Sequence, residues 1–172
     1  MCLLMSSALG PEATDVLACA VSEIAEQCFF AEAVLERART TVADETAEWL
    51  TATVQFDEPG CEGALRCALP IGLARSLFDS FNGRDPIDPA PSTEDVLDLV
   101  GELSNMICGA WLTRLVNHQS FLLRRPVVGP LFDRSRLDET PTGASRVTMR
   151  VSTQDGELPI VIDVDVRGTA GR

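Results

Sequence analysis

Two pairs of alternating segments, each joined by a short turn, constrain the fold of this chain more than any other feature. Apolar and polar side chains alternate through residues 49–56, and residues 63–69 follow after a turn that contains Pro and Gly. Residues 146–151 and 159–166 alternate in the same way around an Asp-Gly turn. Short connections of this kind join antiparallel neighbours, and no repeat of strands with crossover helices is visible. The pattern therefore predicts an antiparallel sheet.

Helical periodicity predicts three helices that can pack on this sheet. Apolar residues recur at helical spacing in residues 11–39 and again in residues 92–117. Between these two long helices, Pro70 occupies the first position of a short helix over residues 71–81, which Asn82-Gly83 ends. The combination predicts an α+β protein, a two-layer sandwich with the long helices on one face of the antiparallel sheet.

The remaining segments indicate connections and one further strand. Residues 84–91 hold three prolines and two aspartates and are typical of a linker, after which Ser92-Thr93-Glu94-Asp95 resembles a capping box. We expect a strand over residues 121–128 and an exposed loop over residues 129–145. The whole is expected to form a single domain over residues 11–167, with flexible termini at 1–10 and 168–172.

Charge and composition exclude several classes of partner. The chain has 172 residues, 45% of them hydrophobic, and a net charge of −12. Nucleic-acid backbones and anionic membrane surfaces are bound by clustered basic residues, so we expect neither as a partner. No uncharged apolar run is long enough to span a membrane.

The cysteines and the single histidine indicate a protein without a metal site. The six cysteines form no C-x-x-C pair, and His118 is the only histidine, so a zinc site is not expected. Cys19, Cys28 and Cys108 stand among apolar helical residues and are predicted to be small buried hydrophobes. This usage favours a reduced, cytoplasmic protein.

One polar stripe on the third predicted helix is the best candidate for chemistry. At about 100° per residue, Asp98, Glu102, Asn105 and Gly109 fall on one side of this helix, opposite its apolar face. A carboxylate and a carboxamide thus project together, one turn apart. Gly109 removes side-chain bulk from the stripe, and Gly101 is a second glycine that costs helix stability. These glycines allow either the close approach of another backbone or packing within the domain. Most polar stripes of this kind are simply solvated faces, so periodicity alone favours that interpretation.

Other polar residues are more simply explained by structure. His118 stands at the predicted end of the third helix and is interpreted as a cap for its C-terminus. Asp163 and Asp165 alternate along a strand and are predicted to face solvent. Arg124-Arg125 is a short basic pair for which a phosphate-contacting role is a minor alternative.

The third helix resembles the signature of the CheC/CheX/FliY family, written (D/S)-x-x-x-E-x-x-N. Asp98, Glu102 and Asn105 match its three positions, and the segment ELSNMICGAWLTRL is similar to the family's helix. The family has a Pro after the following strand, and Pro126 stands there at a different offset. ALRCALPIGLARSLFDSFNG and VSEIAEQCFF are similar to other family elements, so the resemblance spans most of residues 14–166.

Members of the CheC type carry two signatures, one in each half of a pseudo-twofold fold. Here the first helix has Glu23-Ile24-Ala25-Glu26, with Glu where Asn would be needed. The resemblance therefore implies a CheX-like domain with one active site per chain. It also implies pseudo-twofold halves and a homodimer.

The resemblance further implies a phosphatase that acts on the aspartyl phosphate of a CheY-like response regulator. Glu102 and Asn105 would be catalytic, and Asp98 and Gly109 would support partner binding. The chain would need no cofactor of its own, because the regulator carries the Mg²⁺. The alternative is a non-catalytic CheX-like adaptor that binds a response regulator without hydrolysing its phosphate.

Overall fold

The computed structural model describes residues 11–36, 47–58, 61–85, 87–115, 121–132, 137 and 144–168. Within these residues the chain forms three helices: α1 (Pro11–Phe29), α2 (Ile71–Asn82) and α3 (Thr93–Leu115). The same residues form seven strands: β1 (Glu32–Leu35), β2 (Trp49–Glu58), β3 (Cys61–Pro70), β4 (Leu122–Leu123), β5 (Val127–Pro130), β6 (Ala144–Thr153) and β7 (Gly156–Gly168). Predictions for residues 1–10, 37–46, 116–120 and 169–172, including the one for His118, lie outside the described residues.

The strands form one antiparallel sheet in the order β1-β6-β7-β3-β2-β4, with β5 also paired to β2. Alternate residues of each long strand face the helices. In β2 these are Leu50, Ala52, Val54 and Phe56, which are all buried in the main core. The predicted two-layer α+β sandwich, with both long helices on one face, is confirmed.

The sheet order reads the same from both ends of the domain. The first half contributes a helix, β1 and the hairpin β2–β3, and the second half contributes a helix, the β4–β5 edge and the hairpin β6–β7. β1 of the first half pairs with β6, the first strand of the second half's hairpin. In the same way, β5 of the second half pairs with β2, the first strand of the first half's hairpin. β3 and β7 meet at the centre. The halves are therefore related by a pseudo-twofold axis between β3 and β7, as the resemblance implied.

The locally encoded elements lie close to where the sequence predicted them. The β2–β3 hairpin closes with Glu58 opposite Cys61, and the β6–β7 hairpin with Thr153 opposite Gly156. Helix α2 ends at Gly83, whose φ of 59° is the left-handed conformation that glycine adopts freely. Pro70 is the N-cap of this helix, with extended backbone angles, one position earlier than predicted.

The first helix is shorter than predicted, because a strand follows it directly. It ends at Phe29, Phe30 takes a left-handed φ of 52°, and the N–H of Ala31 donates to the carbonyl of Ala25 at 3.0 Å. Residues 32–35 then pair with β6. The prediction of a helix to residue 39 was wrong because the hydrogen bonds of β1 come from a strand more than a hundred residues away.

The predicted strand over residues 121–128 is interrupted by a bulge. Phe56 of β2 pairs with Leu123, whereas Thr53 pairs with Val127. Two residues of β2 therefore lie opposite three residues of the edge, Arg124–Pro126. The extra residue reverses the inward and outward alternation along the edge, and it separates β4 from β5.

The outer face of the sheet is covered in part by residues that were predicted to form an exposed loop. The N–H of Leu131 donates to the carbonyl of Trp49 at 2.8 Å. Leu137 is buried against Trp49, Ala68 and Val161. The prediction of an exposed loop over 129–145 was therefore wrong for the residues in β5 and β6 and for Leu137, which belongs to a second apolar cluster, whereas Phe132 is exposed as predicted.

Two further predictions about exposure were also wrong. Asp163 is buried rather than solvent-facing, because the guanidinium groups of Arg66 and Arg146 surround its carboxylate. Asp165 is half-buried and pairs with Arg167. Among the helical cysteines predicted to be buried, Cys108 is buried and Cys28 half-buried, but Cys19 is exposed.

Candidate functional site

Helix α3 is fixed at its start by a reciprocal cap. The N–H of Asp95 donates to the Ser92 hydroxyl at 3.1 Å, and the N–H and hydroxyl of Ser92 donate to the Asp95 carboxylate at 3.1 and 2.6 Å. These hydrogen bonds, first that of the side chain and then that of the backbone, lower the pKa of Asp95. The predicted capping box, with Asp in place of Glu, is confirmed.

The inner face of α3 is held tightly on the sheet. Its buried residues include Val96, Leu99, Val100, Leu103, Ile107, Cys108, Trp111 and Leu112. Beneath them Cys67 of β3 is fully buried, and this burial raises its pKa to about 12, while a hydrogen bond with Ser104 opposes the rise. The Ser104 hydroxyl also donates to the carbonyl of Val100 at 2.8 Å. A helix anchored in this way can hold its outer side chains in fixed positions.

The predicted stripe lies on the opposite, accessible side of α3. Asp98 and Glu102 are exposed, and Asn105 and Gly109 are half-buried. The carboxylate of Glu102 and the carboxamide of Asn105 are one helical turn apart and project away from the core. The carboxamide can accept and donate hydrogen bonds at once, and the carboxylate can accept from a cation on a partner.

An open groove of about 1010 Å³ runs beside the first half of the stripe. Its walls are the end of α2, the first turns of α3 and the β4–β5 edge. Asp98 and Glu102 line it, whereas Asn105 does not. The apolar part of its lining consists of Phe78, Phe81, Leu97, Leu99, Pro126 and Val128. The groove is therefore continuous with the Glu102 end of the stripe.

The two glycines of α3 have different neighbours. A Cβ on Gly101 would lie 3.1 Å from Cγ2 of Val128 and 3.6 Å from Cβ of Pro126, so this glycine lets the β4–β5 edge approach the helix. A Cβ on Gly109 would make only an ordinary contact of 3.8 Å with Leu123. Gly101 therefore serves packing within the domain, one of the two roles considered for these glycines. Gly109 keeps its place on the accessible stripe.

The first helix, α1, does not repeat the site. Glu23 forms an ion pair with Arg114 of α3, and Glu26 is exposed. Glu23, which stands where a second signature would have its glutamate, thus links α1 to α3.

The described residues offer neither a cluster of metal ligands nor a helix that could span a membrane. In the described ranges, His, Cys, Asp and Glu side chains do not gather in groups of three or more that could hold a metal ion. None of the helices in this part of the chain combines the length and apolar character that a membrane crossing requires.

The sequence did not predict the groove, nor that Arg124 and Arg125 lie on different faces of the sheet edge. Both depend on the bulge and on the contact between Gly101 and the sheet edge, which join residues about 25 positions apart. The glycine in the middle of a helix was the signal that could have indicated this close approach.

A protein-family model matches a segment that includes helix α3. Residues 50–130 match the model of the family described as chemotaxis phosphatase CheX. None of the curated protein sequences matches the chain significantly.

Several solved structures share the whole architecture. The chemotaxis protein CheX from Vibrio vulnificus is 18% identical with a TM-score of 0.63, over 91% of this chain and 97% of that one. A CheC-like superfamily protein from Shewanella sp. PV-4 is 17% identical with a TM-score of 0.64, over 92% and 99%. CheX in a CheX–CheY–BeF₃–Mg²⁺ complex from Borrelia burgdorferi is 18% identical with a TM-score of 0.57, over 89% and 96%.

The palindromic sheet under two long helices defines a protein of the CheC-like fold. The accessible Asp98, Glu102 and Asn105 match the signature of that group. The match of residues 50–130 to the CheX family model points to the same group, the CheC/CheX/FliY family of chemotaxis proteins.

Proposed function

We propose that this protein hydrolyses the aspartyl phosphate of a CheY-like response regulator, in chemotaxis or another two-component pathway. The observation that carries the proposal is the position of Glu102 and Asn105. They lie one turn apart on the accessible side of a helix whose other side is buried in the core. The match of residues 50–130 to the model of the chemotaxis phosphatase CheX family supports the same activity. A regulator partner would place the protein in the cytoplasm.

The chemistry requires positioning more than covalent participation. A water oxygen forms a bond to phosphorus while the bond to the aspartyl oxygen breaks, which yields inorganic phosphate and a free carboxylate. Such transfers depend on alignment and on charge stabilisation. The Mg²⁺ would belong to the regulator, so this chain would supply no metal.

Each residue of the stripe has a separate task in this proposal. The carbonyl of Asn105 accepts from the attacking water, and its NH₂ donates to the phosphoryl oxygens. Glu102 pairs with a lysine of the regulator and sets the register of the complex. Asp98 supports docking at the rim, and Gly109 lets the regulator approach closely.

The test measures the decay of a phosphorylated cognate regulator with Asn105→Ala. We expect the maximal rate to fall by about 100-fold with nearly unchanged binding, because positioning a water is a transition-state task. Gln55→Ala is the matched control, since it removes an exposed carboxamide from the outer face of the sheet. Unchanged hydrolysis by Asn105→Ala would show that the water-positioning role is wrong.

Glu102→Gln tests the docking role of the carboxylate. We expect weaker binding and slower turnover, because the charge pair forms when the regulator docks. Glu62→Gln is the control for the loss of an exposed carboxylate on the outer face. If the wild-type protein binds the phosphorylated regulator but never speeds its decay, the protein is instead a non-catalytic adaptor.

A further inference from the structure

The two adjacent arginines of the sheet edge have separate environments. Arg124 lies on the outer face, where its Nε donates to the Asp57 carboxylate at 2.9 Å. Arg125 lies on the helix side of the edge and lines the groove together with Asp98 and Glu102. A bulge commonly redirects a side chain in this way. The basic pair in the sequence is thus one structural arginine and one arginine directed at the candidate site.

The backbone of Arg125 is anchored by the next residue. Pro126 follows it directly and lies against Gly101, the residue before Glu102. Arg125 and Glu102 are therefore each one residue from this contact between the edge and the helix. Arg125 is exposed, and none of the ion pairs found among the described residues involves it.

The groove around Arg125 is otherwise acidic. Its lining includes the carboxylates of Glu94, Asp95, Asp98 and Glu102, and Arg125 is the one cation among the described residues that line it. The floor between these charges is apolar, and the Phe81 side chain is 52% exposed. A surface with one cation in an acidic rim favours a partner that presents a carboxylate at that point and nowhere else along the rim.

We propose that the groove is the second half of the docking surface for the response regulator, and that Arg125 pairs there with a carboxylate of the regulator. This inference rests on the proposed partner. The groove continues from the Glu102 end of the stripe, so a regulator docked on the stripe would also cover the groove. The regulator segment that enters it would have an apolar ridge for the groove floor, one acidic residue for Arg125 and basic residues for the rim.

The position of Arg125 assigns it to binding and not to the hydrolytic step. Asn105, which would hold the water, does not line the groove. Arg125 is therefore a specificity-determining residue. Its loss should raise the regulator concentration at half-maximal rate and leave the maximal rate unchanged.

The experiment compares Arg125→Glu, Arg125→Lys and Arg75→Glu with the wild-type protein. Two quantities are measured: affinity for the regulator loaded with Mg²⁺ and beryllofluoride, and the rate of phosphoryl decay against regulator concentration. We expect Arg125→Glu to weaken binding at least about tenfold, as pairs of like charge do at interfaces. Arg125→Lys should retain most of the affinity, because it keeps the charge.

Arg75→Glu is the control for net charge. Arg75 is exposed on α2 and does not line the groove, and its replacement changes the charge of the protein by the same amount. We expect it to bind the regulator within about twofold of wild type, since exposed charges away from a contact are screened by salt.

The outcomes separate this inference from the proposed activity. If Arg125→Glu binds as tightly as wild type, or binds no worse than Arg75→Glu, the docking inference is wrong whatever the enzymatic result. If Arg125→Glu loses affinity while neither it nor the wild type accelerates phosphoryl decay, the docking surface is supported and the phosphatase proposal fails. A fall in maximal rate at saturating regulator would overturn the assignment of Arg125 to binding.

Discussion

The Cβ position of Gly101 lies 3.6 Å from Cβ of Pro126, so the helix that carries the candidate site and the edge of the sheet touch at this point. A Cβ in that position would also lie 3.1 Å from Cγ2 of Val128. One wall of the groove depends on this approach, because Pro126 and Val128 belong to the β4–β5 edge. The shape of the groove beside Glu102 therefore depends on the small size of residue 101.

Gly101→Val should disturb both stability and regulator binding. Its methyl groups would overlap Val128, and overpacking of this kind costs about 2 kcal/mol. Displacement of the edge should also raise the regulator concentration at half-maximal rate. Urea unfolding and decay assays on the same samples measure the two effects. Gly101→Ala is the milder comparison, because its gain in helix propensity of about 1 kcal/mol offsets the tight contact.

Gly109→Ala should have opposite effects on stability and activity. Replacing a glycine inside a helix with alanine is worth up to about 1 kcal/mol, and only an ordinary contact with Leu123 awaits the new Cβ. We therefore expect a higher melting temperature. We also expect slower phosphoryl decay, because the added methyl group stands where the regulator would approach. Unchanged activity in the stabilised variant would remove Gly109 from the docking surface.

Asp163→Asn should be the most destabilising change on the outer face. Arg146 donates to the Asp163 carboxylate at 2.6 and 2.9 Å, and Arg66 pairs with the same group. Without the negative charge, two guanidinium groups remain close together, and breaking a buried pair costs about 3 kcal/mol. Asp165→Asn, in a more exposed pair with Arg167, should cost less than about 1 kcal/mol. Chemical unfolding of both variants gives the comparison, and equal losses would contradict it.

The cap of α3 should make stability depend on acid pH. Because the Ser92 hydrogen bonds lower the pKa of Asp95 in the folded protein, the ionised carboxylate stabilises the fold above its unfolded pKa of about 3.9. This contribution is lost as the pH falls through the folded pKa. The difference in unfolding free energy between wild type and Asp95→Asn should be constant above about pH 5 and shrink below about pH 4. A difference that grows towards acid pH would mean that the sign is wrong.

Assembly into a homodimer remains a prediction from the family resemblance. In the described part of the chain β1 lies at one end of the sheet, and its Val34 side chain is 53% exposed. Such an edge can pair with another chain. Sedimentation at micromolar concentrations should show a species of twice the monomer mass, and a monomer across that whole range would contradict the prediction.

The sequence predicted those parts of the structure whose causes are local. Ser92 and Asp95 are three residues apart, and their capping box is readable without the rest of the chain. The hairpins follow from alternation on either side of a turn, and the accessible stripe of α3 follows from helical spacing. In each case the side chains that decide the conformation lie within a few residues of one another.

The remaining features depend on residues that are distant in the sequence. β1 forms because β6 supplies its partner, and Asp163 is buried because Arg66 and Arg146 neutralise it. An acidic residue in an alternating strand is normally solvated, so nothing local indicated that it would be buried. The groove and the orientation of Arg125 arise from the bulge opposite β2, which only the pairing register shows.

The palindromic sheet has a consequence for how the chain reaches its native state during synthesis. Its central pair joins β3 to β7, and β1 must wait for β6, whose residues are translated more than a hundred positions later. Until the last hairpin leaves the ribosome, one side of β3 and the part of α1 that packs on β6 have no native neighbour. Long-range pairings of this kind slow folding, and they prolong the time for which exposed apolar surface can cause aggregation. A ribosome that stalls before residue 144 would therefore hold a nascent chain whose sheet lacks its central β3–β7 pair and the partner strand of β1.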